Sequence, residues 1–193
     1  MSIKEERLGT TAAVKGTMLE AHLQWAGERL PDAPNALAAM LPPETATLVR
    51  NRVLPVQWIP LHAMVAIDRA IAKAVGGSPD DVFRALGRHS AQFNLGGVYR
   101  HLTSEDPHAF FEKQAMLHGR FCNFGRSDYA STGPTSGRVT LSDWAEYSPV
   151  FCLSGLGYYE AALELMKTPG PVRVMESACV CRGDAACVVD LAW

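Results

Sequence analysis

Apolar residues recur at helical spacing along most of this chain and switch to strict alternation only towards its end. Over 13–30 (AVKGTMLEAHLQWAGERL), Val14, Met18, Leu19, Ala21, His22, Trp25 and Ala26 form one stripe, which predicts a helix. Pro31, Pro34, Pro42 and Pro43 then break the chain into short pieces, with a turn or two of helix from Asn35 to Met40. Pro55 and Pro60 bracket VQWI, so the first third reads as an irregular helical region folded around Trp58. Residues 60–76 start with proline and end at Gly76-Gly77, the asymmetry expected of a helix. Residues 78–102 open on Ser78-Pro79-Asp80-Asp81, a cap with acids in the first turn, and residues 104–125 open on Ser104-Glu105-Asp106-Pro107 by the same logic. From 127 the period becomes two: 127–133 and 137–144 alternate around the turn GPTSG. A helix over 148–167, capped by Ser148, precedes two strand-like runs, 171–180 and 186–193, joined by a tight turn at Arg182-Gly183-Asp184.

The order helices, hairpin, helix, hairpin predicts an α+β domain. It has an antiparallel four-stranded sheet with helices packed on one face, preceded by a helical N-terminal region. We divide it into an extension, 1–59, and a ligand-binding domain, 60–193.

With 193 residues, 48% of them hydrophobic, the chain can bury a core without covalent or metal staples. A formal net charge of -2 gives no support to a nucleic-acid-binding surface. No apolar run approaches a membrane span, and the polar start MSIKEERLGTT lacks the apolar middle of a signal peptide. These features predict a cytoplasmic protein, in which five cysteines read as metal ligands or buried thiols more than as disulfides.

Cys152, Glu176, Cys179 and Cys187 supply three thiols and a carboxylate, the number and chemistry of a tetrahedral zinc site. Cys152 falls near the start of a helix, where the helix dipole lowers a thiol's pKa. Glu176 and Cys179 point to opposite faces of a regular strand, so their convergence requires a bulge near Ser177-Ala178. The same cysteines also read as small apolar core residues, and no paired CxxC decides between the two. Cys181 and Cys122 have no assigned role.

The stretch from Ser148 to Trp193 resembles the 4-vinyl reductase domain, through SPV-F-C, Gly-x-Gly-Tyr-Tyr-Glu and E-x-x-C-x-x-R-G-D-x-x-C. That resemblance implies structural Zn2+ on Cys152, Glu176, Cys179 and Cys187. It also implies a homodimer and a closed pocket for a small apolar ligand, aromatic or acyl. Phenol-sensing members continue into further domains, so a signal from this chain is expected to pass to a separate protein partner. Residues 1–59 look like an uncharacterised stand-alone family common in myxobacteria, through the KG-x-x-L opening, and at fold level the domain is similar to TRAPP subunits.

Phe111, His118, Phe121, Trp144 and Tyr147 cluster where such domains line a cavity; singly, each also reads as ordinary core. Scattered His89, His101, His108 and His118 read as surface or satisfied groups, and the tyrosine–serine–arginine pattern of similarly folded haem nitric-oxide sensors is not apparent. The Arg-Gly-Asp sequence reads as turn chemistry. No nucleotide loop, nucleophile elbow or acid–base pair points to an enzyme. The expected function is a zinc-stabilised sensor of a small apolar molecule; the alternative is a scaffold that dimerises and docks a partner without a ligand.

Overall fold

Proline starts the long helices of this protein. The computed structural model describes residues 11–97, 99–100, 106–144 and 146–193; the polar start, His101 and the Ser104-Glu105 cap lie outside them. A strand, β1 (Ala13–Lys15), leads into α1 (Gly16–Gly27), α2 (Ala33–Ala38) and α3 (Pro43–Arg50), and β2 (Trp58–Pro60) returns to pair antiparallel with β1. Then come α4 (Leu61–Val75), α5 (Pro79–Gly96) and α6 (Pro107–Phe121), and the hairpin β3 (Arg126–Gly133) and β4 (Ser136–Ser142). The chain closes with α7 (Pro149–Leu165), β5 (Arg173–Ala178) and β6 (Cys187–Ala192). Gly76, at φ 79°, ends α4 in a backbone conformation that a side chain would resist. Asp106 caps α6, its carboxylate accepting from the His108 and Ala109 amides at 3.0 and 3.4 Å. Ser148 occupies the cap position of α7, but its Oγ has no hydrogen-bond partner among the described residues.

Strands β3 to β6 form one antiparallel four-stranded sheet, ordered β3-β4-β6-β5. The β5–β6 register slips between Glu176 and Ala178, the bulge that convergence of Glu176 and Cys179 requires. Cys187, Val189 and Leu191 of β6 alternate onto the buried face. A larger core joins α1, α3, α4 and α5 to Trp144 and Val150, and a second joins α5, α6 and α7 to the sheet.

Trp58 does not anchor the first third. It is 41% exposed, with the Lys15 ammonium 3.8 Å from its ring centroid, because β2 pairs along the surface. Trp25 and Leu37 fill the interior there. The contact between α5 and α7 depends on glycine. A methyl at Gly87 would lie 2.6 Å from the Ser154 carbonyl carbon, and one at Gly157 would lie 2.8 Å from that of Arg84. Two bare Cα positions therefore let the helices meet backbone to backbone. Arg84 and Arg88 reach across the same seam to Glu160 and Glu164, with 2.6 Å contacts for Arg84–Glu160 and Arg88–Glu164.

Candidate functional site

A cavity of about 160 Å³ opens where the helices meet the sheet. Thr17, Met18 and His22 of α1 and Ser90 and Asn94 of α5 line one side of it, and Met64 comes from α4. Lys113, His118 and Phe121 of α6, Cys152, Ser154 and Tyr158 of α7, and Leu141, Glu176, Cys187 and Val189 of the sheet also line it.

Of the aromatic positions the sequence singles out, His118, Phe121 and Trp144 lie on this wall. Tyr147 stands behind Trp144, ring centroids 5.5 Å apart at 20°, and its hydroxyl oxygen accepts from the Trp144 amide at 3.3 Å. Phe111 is not on the wall: it is fully buried in the second core, stacked on Tyr129. Gly125, at φ 67°, packs against the indole edge of Trp144, whose Nε1 has no partner among the described residues. His118 hydrogen-bonds the Phe124 carbonyl through Nε2 at 2.9 Å, so Nε2 carries the proton, and burial lowers the ring's pKa.

The polar residues of the α1–α5 side carry no strong sequence motif. Thr17 donates to Asn94 Oδ1, and Asn94 donates to the Ser90 carbonyl at 2.9 Å, so this group satisfies itself. His22 is 1% exposed, and its Nδ1 lies 2.8 Å from Oδ1 of Asp68, itself fully buried on α4. Sequence reasoning places His22 only in an apolar stripe. The signal for more is the single acid inside the apolar run AIDRAI, since a carboxylate on a buried helix face needs a partner.

The structure brings Cys152, Glu176, Cys179 and Cys187 together, their ligand atoms all within 4.8 Å of one another. Cys179 Sγ lies 3.9 Å from Cys152 Sγ and 3.7 Å from Cys187 Sγ. A tetrahedron with metal–sulfur bonds of ~2.3 Å has edges of about 3.8 Å, so the group could hold one cation. Glu176 also pairs with Arg182, and Asp184 Oδ2 accepts from the Cys179 amide at 2.7 Å, so the Arg-Gly-Asp turn serves the hairpin. Cys181 is exposed and stands outside the group. The expected lowering of the Cys152 pKa is reversed. Burial raises it, and the neighbouring thiols and Glu176 add to the effect, outweighing the helix start. Burial likewise pushes the Cys187 thiol up to about 11.

No protein-family description and no curated protein matches this sequence. Its fold does match solved structures. One, a doubly substituted Tt H-NOX protein, superposes with a TM-score of 0.70 at 12% identity, over 93% of this chain and 94% of that one. A second, an oxygen-binding H-NOX domain related to soluble guanylate cyclases, gives 0.69 at 12% identity, over 92% and 94%. An H-NOX protein from S. oneidensis in its Fe(II)NO state gives 0.70 at 10% identity, over 92% and 97%. The expected kinship with the 4-vinyl reductase domain is thereby corrected, because the whole fold aligns with H-NOX domains. Structural zinc and the reading as a zinc-stabilised binder of an apolar aromatic or acyl compound lose their basis with it, since haem is the group that a further fold neighbour's description names. The reason is physical: the spacing from Glu176 to Cys187 describes a bulged hairpin and its turn, which do not specify the domain around them. Among the described residues no helix is long and apolar enough to cross a membrane. At these identities the comparison establishes the architecture: an α+β fold of the H-NOX kind, with a four-stranded antiparallel sheet.

Proposed function

We propose that this chain is a small-molecule sensor domain that takes its ligand into the cavity between α1, α5, α6, α7 and the sheet, and reports occupancy to a protein partner. The cavity itself carries the reading. It draws its wall from both the helical layer and the sheet, so an occupant touches every layer of the fold. The oxygen-binding description of one fold neighbour agrees with a sensor of something small.

Haem, which the fold neighbours imply, does not fit the residues present. The cavity's 160 Å³ is close to the ~150 Å³ that accommodates a single benzene ring, far short of a four-pyrrole macrocycle. Its two wall histidines are each held through one nitrogen, His118 to Phe124 and His22 to Asp68, which leaves a second nitrogen on each ring, so the size of the cavity and not the imidazoles decides against haem. Of the remaining histidines, His108 bonds Tyr129 and Pro134 through its two nitrogens, and His89 lies 3.4 Å from Gln24. The ligand is therefore about one six-membered ring in size, with at least one polar group to match a wall that mixes hydroxyl, amide and imidazole groups, Lys113 and Glu176 among apolar side chains.

Methionine methyl NMR tests this with an internal control. Met18 and Met64 line the cavity, whereas Met116 and Met175 are exposed. Titration with cyclohexanol is expected to shift the Met18 and Met64 methyl resonances saturably and leave Met116 and Met175 in place. Shifts confined to the exposed pair, or none, would overturn the proposal.

A further inference from the structure

The cavity-facing histidine on α1 has the arrangement of a recognition group. His22 lines the cavity and is 1% exposed, and it hydrogen-bonds through Nδ1 to Asp68. Among the described residues the ring makes no second hydrogen bond. Asp68 is left with a bare buried oxygen, Oδ2. A purely structural polar pair in a core satisfies its members, because a half-satisfied network is worse than an apolar one. This pair holds one ring in one orientation and leaves its other nitrogen open.

A carboxylate accepts only, so Nδ1 carries the proton that the pair shares, and in the neutral ring Nε2 presents its lone pair. The polar neighbours do not compete for it. Thr17, Asn94 and Ser90 bond among themselves. We propose that His22, oriented by Asp68, is the hydrogen-bond acceptor that selects ligands of this cavity, and that those ligands bear a hydroxyl or N–H donor. The inference rests on the sensor reading of the cavity and names the chemistry that the cavity takes.

Two probes of equal size separate the possibilities: cyclohexanol carries a donor, and cyclohexanone carries only an acceptor. With the full chain, the alcohol is expected to bind about tenfold more tightly than the ketone, the discrimination of one well-made buried hydrogen bond. In His22→Phe the preference should vanish while both probes still shift the Met64 methyl. A ligand-free measurement stands beside these. Nitrogen-15 spectra of wild-type protein should show His22 protonated at Nδ1 and bare at Nε2, with the Nε2 signal moved by cyclohexanol and unmoved by cyclohexanone. A proton found on Nε2, equal affinities in the wild type, or a preference that survives His22→Phe would overturn the role of His22 and leave the cavity reading intact. If neither probe moves Met18 or Met64, the cavity reading fails, and the selectivity inferred from it fails too.

Discussion

Alanine at Gly87 would set a methyl against peptide backbone. The new Cβ would stand 2.6 Å from the Ser154 carbonyl carbon and closer still to its oxygen. Comfortable carbon contacts begin near ~3.5 Å, so α5 and α7 must part by about 1 Å or the methyl must strain the seam. No rotamer relieves this, since the obstacle is main chain. Overpacking of this kind costs about 3 kcal/mol. Alanine returns about 1 kcal/mol of helix propensity, leaving a net loss near ~2 kcal/mol. For a domain of this size, 1 kcal/mol corresponds to about 2–4 °C, so the melting temperature of Gly87→Ala should fall by about 4–8 °C. Gly119 on α6 is the control: a methyl there meets nothing within 4 Å, so Gly119→Ala should gain up to ~1 kcal/mol. Thermal and urea unfolding of both variants by circular dichroism supply the numbers. A Gly87→Ala protein as stable as wild type would show that the helices are not in backbone contact.

The other predictions concern charge and turn chemistry. Burial lowers the folded-state pKa of His118 and of His89, so the unfolded chain binds more protons just below the ordinary histidine value. Stability is then fully present above about pH 6.5 and declines as pH falls below it; His118→Gln should flatten that slope in urea titrations at about pH 7.5 and 5.5. Glu160→Ala removes a carboxylate shared by Arg84 and Arg88 at a half-exposed seam, for a loss of about 0.5–1 kcal/mol that shrinks in about 1 M salt. Asp184→Ala deletes the acceptor of the Cys179 amide and should raise hydrogen exchange in the β5–β6 turn, at a cost of about 1 kcal/mol. Alkylation mapped by mass spectrometry should modify exposed Cys181 first and buried Cys122, whose thiol burial pushes up to about 12, only after unfolding.

Local rules were legible in the sequence wherever one residue type decides the outcome. Pro79, Pro107 and Pro149 open helices because proline suits a first turn, and alternation marks the β3–β4 hairpin. The bulge at 176–178 was legible as the condition for Glu176 and Cys179 to converge. Outcomes decided by distant partners were not legible. Trp58 has the composition of an anchor, yet the pairing of β2 with β1 turns it outward. His22 gains its meaning only from Asp68, 46 residues away. Gly87 and Gly157 look like ordinary helix weak points until the two helices are seen to touch. The Cys179–Cys187 spacing drew attention to a real cluster and away from the fold as a whole.

The glycine seam has a mechanical consequence. Helices separated by side chains can slide, because rotamers absorb the shear; helices in direct main-chain contact, cross-tied by arginine and glutamate, share load as one beam. That beam carries Ser90 and Asn94 on one member and Cys152 and Tyr158 on the other, so the two walls of the chamber shift together. A change made at the seam is therefore felt on both sides of the chamber at once.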